Sequence, residues 1–165
     1  MACVIKDMQE ILYPLFVEKW GEIDMYPCVY KNPDRDKGEI IPEIFEDGGY
    51  KEMFLDSKKL GQIMFIDANE HPKKDEELFD AKVKIVFILN IQRIYGEGRR
   101  DDLAQQEAYS LIEKNAFNFE VSSIQKTIPT VFNGFKLNRI EFDDMHPYGI
   151  FAIVGNLSYK LSKKC

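Results

Sequence analysis

The hydrophobic pattern opens at helical spacing. Val4, Ile5, Met8, Ile11, Leu12, Leu15 and Phe16 recur every three or four residues, which predicts an amphipathic helix at the start of the chain. Pro14 should kink that helix or begin a second turn, and Gly21 is placed to stop it. The period then changes. "MYPCVYK" (Met25–Lys31) predicts a short strand, with Pro27 favouring a sheet edge, and "NPDRDKG" is a loop by its turn residues. Two apolar-rich arms, Ile40–Phe45 and Tyr50–Leu55, flank Glu46-Asp47-Gly48-Gly49 and predict a hairpin. "GQIMFIDAN" is a further strand. The charged connection "EHPKKDEE" after it is too long for a tight turn, and it leads to an expected antiparallel partner.

That partner is "KVKIVFILNIQRI" (Lys82–Ile94), the longest strand-like run in the chain. From Phe79 to Tyr95 the odd positions are apolar almost throughout, so one face should meet the core along its whole length. The even positions run Asp80, Lys82, Lys84, then Val86 and Ile88, then Asn90 and Gln92, so the other face is apolar only in its middle. Thirteen residues extend roughly 43 Å, about the diameter of a compact chain of this size. Two arrangements fit. Either a bend or bulge divides the run, or the strand is shared with a neighbouring subunit whose surface covers Val86 and Ile88. The hairpin poses the same choice: its apolar residues fold back on their own sheet or reach across to a neighbour.

After the long run, "YGEGRRDD" leads into a second helix. Asp101 or Asp102 is the natural N-cap, and both acids suit the positive end of the helix dipole. Leu103, Ala104, Ala108, Leu111 and Ile112 form a stripe opposite Gln105, Gln106, Glu113 and Lys114. "FNFEVSSIQ", "KTIPTVF" and "FKLNRIEF" then read as strands. "GIFAIVGNLSYKL" (Gly149–Leu161) closes the chain, with Phe151, Ile153, Leu157, Tyr159 and Leu161 on one face and Asn156, Ser158 and Lys160 on the other. The expected architecture is a single α+β domain over residues 1–165, a mainly antiparallel sheet covered on one face by two helices. A projecting β-hairpin arm is expected as an insertion at about 32–57.

Composition narrows the class. The 165 residues are 45% apolar and 13% aromatic, which excludes a disordered chain. No uninterrupted apolar run exceeds the five residues of Ile85–Leu89, far short of the ~20 needed to span a membrane. Lys6, Asp7 and Glu10 interrupt the apolar start, against a signal peptide. Cys3, Cys28 and Cys165 are far apart and without metal spacing, and read as reduced thiols of a cytosolic compartment. The net charge of −6 is unevenly placed: Pro33–Asp80 holds 14 acidic and 7 basic residues, the rest 14 acidic and 15 basic. So acidic a segment repels phosphate and disfavours nucleic-acid binding through it.

No chemical motif stands out. His71 ("NEHP") and His146 ("MHPYG") both precede proline, with Asp67 and Glu70 near the first and Asp143 and Asp144 near the second. Both histidines with two acids would suit a divalent metal, but nothing in the sequence brings them together, and no metal or cofactor is assigned. Ser110, Ser122, Ser123 and Ser158 lack an elbow motif and the cysteines lack a histidine partner, so no catalytic residue is assigned either. "GEGRRDD" lacks the third glycine and the Lys-Ser/Thr pair of a phosphate loop, and reads as a turn. Arg99 and Arg100 oppose the dipole of the helix they precede, which suggests that a carboxylate of an adjacent copy holds them.

The order of elements resembles the small neck and tail-end proteins of tailed bacteriophages, tail terminator and tail-completion proteins in particular. The likeness lies in the N-terminal helix, the antiparallel sheet with its hairpin, and a helix like Asp101–Ala116. A closing strand like "GIFAIVGNLSYKL" after a loop like "DDMHPYG" completes it. The resemblance implies a non-enzymatic virion protein, assembled in the host cytoplasm. It would form a homo-oligomeric ring at the head–tail connector or tail end, against portal, neck or tail proteins and without a membrane. DNA would pass through the channel without specific binding, and Pro33–Asp80 would supply inter-subunit contacts or an acidic lumen. The residues expected at the subunit interface are Ile40, Ile41, Ile44, Phe45, Met53, Phe54, Val86, Ile88, Arg99 and Arg100. The Asn32–Ser57 insertion exceeds the simple pattern, so a neck ring of a short-tailed phage fits equally well. Two other readings compete: a small enzyme or ligand-binding domain using His146, Asp143, Asp144 and Tyr148, and a cellular module that binds another protein through the hairpin.

Overall fold

Helix α1 (Ala2–Trp20) turns Ile5, Met8, Leu12, Phe16 and Trp20 inward, a stripe with the spacing of one helix face. Ile11, expected in that stripe, is 45% exposed, because one residue step rotates it about 100° away from Leu12. The helix continues through Pro14, which lies on the exposed side, where a carbonyl without its usual N–H can meet water. It ends where Gly21 adopts φ +107° and its N–H reaches the Val17 carbonyl at 2.9 Å. The computed structural model describes residues 2–33, 40–52, 58–68, 70–96, 98–115, 118–135 and 147–160. Side chains at 2–4, 27, 31–33, 40–42 and 51–52 are outside that description.

The remaining elements are β1 (Asp24–Pro33), β2 (Ile40–Glu46), β3 (Gly49–Glu52), β4 (Gly61–Asp67), β5 (Leu78–Asn90), α2 (Ile91–Tyr95), α3 (Asp101–Asn115), β6 (Phe119–Gln125), α4 (Ile128–Val131) and β7 (Tyr148–Lys160). The described strands form one sheet in the order β3-β2-β1-β4-β5-β7-β6. Only the β1–β4 pair is parallel. The chain is therefore an α+β protein with a mostly antiparallel sheet. Among the described residues no helix is long and apolar enough to cross a membrane.

Strand β5 is unbroken. It pairs with β7 from Leu78↔Lys160 to Asn90↔Tyr148 without a register shift, so neither a bend nor a bulge divides it. It starts four residues before the expected run and stops at Asn90. There the Asn90 Oδ1 accepts a hydrogen bond from the Arg93 N–H at 3.1 Å and opens α2, so "IQRIY" leaves the strand as a helix.

The odd residues of β5 (Ala81, Val83, Ile85, Phe87, Leu89) are fully buried. They share one apolar cluster with Ile63, Phe65, Phe151 and Ile153, the α1 stripe, and Ala104, Ala108 and Ile112 of α3. Phe87 is its hub: its ring stacks on Phe151 at 4.8 Å and meets Phe16 and Trp20 edge-on at 5.3 and 5.9 Å. On the opposite face Val86 and Ile88 join Val29, Ile44, Met64, Ile66 and Ala152 in a second cluster with Val131, Phe132 and Phe135.

This corrects the expectation that a neighbouring subunit covers Val86 and Ile88: both are buried within the single chain, at 0% and 2% exposure. The cause lies in "KTIPTVF", which is not a strand. Pro129 sits in the first turn of α4, where its fixed φ suits a helix, and the turn delivers Val131 and Phe132 to this face. The Lys84 ammonium donates to the Val131 carbonyl at 2.8 Å and fastens the end of α4 to β5.

The hairpin closes through Asp47 and Gly48, with φ +53° and +81°, the positive pair of a two-residue type I′ turn. Strand β2 pairs with β1 from Val29↔Ile44 to Pro33↔Ile40, so the arm extends its own sheet, and Ile44 is buried. The side chains of Ile40 and Ile41, and residues Met53, Phe54 and Leu55, lie outside the described residues, as does "KLNRIEF". Pro27 does not mark an edge. Strand β1 lies between β2 and β4, and the proline falls in a register shift between Met25 and Cys28.

Since the chain covers its own second face, Phe132→Ala should cost about 3–5 kcal/mol in urea unfolding. A cost below about 1 kcal/mol would show that Phe132 is not part of this cover.

Candidate functional site

Alternation along the arm sorts its side chains. Val29 and Ile44 face each other across the β1–β2 pair and point into the second cluster, so Tyr30 and Phe45 point to the other face. Tyr50 is directly opposite Phe45 on β3. The three rings meet edge to face, Phe45–Tyr50 at 5.2 Å and Tyr30–Tyr50 at 5.6 Å, yet stay 40% (Tyr30), 47% (Phe45) and 53% (Tyr50) exposed. Contiguous aromatic surface kept in water is the feature that marks protein contact sites. Sequence reasoning chose Phe45 and missed Tyr30 and Tyr50. The rings lie on three strands, so their common face follows from cross-strand register, which no local period states.

The other expected interface residues divide by physical cause. Ile44, Val86 and Ile88 are core. Arg99 and Arg100 need no carboxylate from another copy. Arg99 grips Asp101 through two 2.9 Å bonds and Arg100 reaches Asp102 at 3.3 Å, which correct the expected intermolecular pairing. The Arg99 guanidinium, more than burial, sets the Asp101 carboxyl below its ordinary range.

The titratable side chains gather at two ends of the sheet. At one, the His71 Nε2 lies 2.7 and 2.8 Å from the two Asp67 carboxylate oxygens, and Nδ1 lies 2.8 Å from the Tyr159 hydroxyl. A carboxylate only accepts, so Nε2 donates, and in the neutral ring Nδ1 accepts from Tyr159. Burial, and then the Asp67 charge, push the Tyr159 hydroxyl up. Cys28 is half-buried near the same acid, and its thiol is pushed up to about 11, first by burial and then by Asp67. An attacking cysteine needs the reverse, a thiolate favoured by positive surroundings. Asp67, His71 and Tyr159 instead tie the connection after β4 to β7.

At the other end the Trp20 Nε1–H is shared between the Tyr95 hydroxyl (2.9 Å) and Glu107 Oε2 (2.8 Å), and Tyr95 also donates to Glu107 at 2.9 Å. Burial, followed by Glu107, raises the Tyr95 hydroxyl. This knot joins the ends of α1 and α2 to α3, and no sequence motif announced it.

Among the described residues no three His, Cys, Asp or Glu side chains converge as metal ligands. His146, Asp143 and Asp144 lie outside the described residues, as do Cys165 and the Cys3 side chain, while Tyr148 packs half-buried against the second cluster.

The raised Cys28 thiol has two consequences. In a Cys3→Ser, Cys165→Ser background, folding alone should slow its labelling at pH 8 by on the order of a hundredfold relative to the urea-unfolded chain. The folded thiol keeps its proton where the unfolded one, near 9.0, has lost it, so this group's contribution to stability is full below about 9 and is lost as pH rises towards about 11. Equal labelling rates in the folded and unfolded chain would contradict the assignment. Comparison of the chain with protein-family models, with curated proteins and with solved structures finds no match.

Proposed function

We propose that this chain is a structural subunit that assembles with copies of itself, of the kind that forms rings at the head–tail connector or tail end of tailed bacteriophages. One observation carries the reading: the exposed, mutually packed rings of Tyr30, Phe45 and Tyr50 on the sheet edge formed by β1, β2 and β3. Aromatic side chains supply much of the binding energy of protein contacts when their surroundings are desolvated. Here the rings already hold one another in place, so docking orders little that is not ordered beforehand.

In this reading the chain catalyses nothing, and its neighbours are further copies and the adjoining portal, neck or tail proteins. Each subunit folds first and then docks, because Val86 and Ile88 are sealed without help. The acidic segment Pro33–Asp80, with 14 acidic residues against 7 basic, supplies contacts or lines a channel through which DNA slides by like-charge repulsion.

Size-exclusion chromatography with light scattering, followed by negative-stain microscopy, tests this directly. The wild-type chain should form a closed oligomer. Phe45→Glu with Tyr50→Glu should return it to a monomer that still unfolds in one cooperative transition, since both rings are about half-exposed already. A wild-type chain that is monomeric at every concentration sinks the reading.

A further inference from the structure

The second face of the sheet carries a pocket beside α4. Strands β5, β6 and β7 and the α4 region border an open hollow of about 450 Å³, lined by Lys82, Lys84, Gln125, Thr130, Asn133 and Val154. Lys82 stands exposed at this site, and Lys84 adds a second ammonium while fastening the Thr130 and Val131 carbonyls. Gln125 contributes a side-chain oxygen that is buried and, among the described residues, has no hydrogen-bond donor. Buried acceptors in folded proteins are nearly always paired, so this one marks a place where a donor belongs. An occupant that suits the pocket brings negative charge for the lysines together with an N–H for Gln125.

The same chain displays a segment of that chemistry. The turn between β2 and β3 exposes Glu46, Asp47 and Gly48. In a two-residue type I′ turn the central N–H groups lie outside the strand ladder, so the Gly48 N–H accompanies the carboxylates on one tight loop. The turn cannot reach its own pocket. Strands β1, β4 and β5 separate β2 from β7, a distance of roughly 19 Å at about 4.8 Å per strand.

We propose that the Glu46–Gly49 turn of one copy docks in the Lys82–Lys84–Gln125 pocket of the next. The inference rests on the assembly reading and specifies its polarity. Turn and pocket are different surfaces at opposite ends of one sheet, so the contact is head-to-tail, the kind that generates rings.

Four chains test it by light scattering: wild type, Lys82→Glu, Glu46→Lys, and the two reversals combined. Both positions are exposed, so every chain should still unfold in one cooperative transition. Each single reversal should weaken self-association by about tenfold or more, and the combined chain should regain most of it. Gln125→Leu should weaken it as well, by removing the acceptor. Single reversals that assemble like wild type, while Phe45→Glu still dissociates the oligomer, overturn the docking and leave the assembly reading standing. Weak singles without rescue in the combined chain overturn this particular pairing. A wild-type monomer overturns both readings.

Discussion

Thirteen residues of β5 lie against thirteen of β7, and the middle of that ribbon is buried on both faces. A two-sided burial of this length sets what the rest of the chain must do, because apolar strand surface left in water on either side would undo it. On one face the odd residues of β5 share a cluster with residues of α1 and α3, with Phe87 at the meeting point of Phe16, Trp20 and Phe151. The other receives a single helical turn, whose Val131 and Phe132 reach Val86 and Ile88. Close approach matters at the ribbon's flank too. A Cβ on Gly155 would fall 2.5 Å from both the Glu120 carbonyl and the Phe119 ring, so the glycine is what lets β6 lie against β7 there.

The polar groups serve this arrangement more than they advertise chemistry. Trp20, Tyr95 and Glu107 satisfy one another where the ends of α1 and α2 meet the middle of α3. Asp67, His71 and Tyr159 do the same where β4 gives way to its connection. Buried Gln62 donates to the Tyr26 hydroxyl, and buried Asn90 spends its oxygen on capping α2. Apart from the local Asn90 cap, a group that would be costly to bury alone is paired across elements distant in sequence, which fixes their relative position. Gln125 stands apart, since its oxygen has no partner among the described residues.

What the sequence reveals and what it hides follow from how each element is stabilised. The two faces of β5 and β7, the acidic start of α3 and the Asp47-Gly48 turn are written in local periodicity and turn chemistry, and they were legible. Helix α4 was not, because four residues are too few for a helical period and Val131 and Phe132 favour strands; Pro129 was the one usable sign. Missing α4 left Val86 and Ile88 looking uncovered, and the shared-strand idea grew from that gap. The end of β5 at Asn90 was hidden for a related reason: Ile91 and Ile94 continue an apolar text that either element would accept. For the aromatic patch the side chains were visible but their register was not, since which face Phe45 takes depends on Ile44 pairing with Val29.

A subunit that completes its own core separates folding from assembly. The energy of any contact between copies then rests on groups the fold does not need, and these can change without loss of the domain. In the proposed assembly those groups lie on opposite faces: the Tyr30–Phe45–Tyr50 rings on the face opposite Ile44, the lysine pocket on the face of Val86. Opposite faces meeting at opposite edges make a head-to-tail contact, and the rotation between successive copies then decides the outcome: one that closes gives a ring, and one that does not gives a filament.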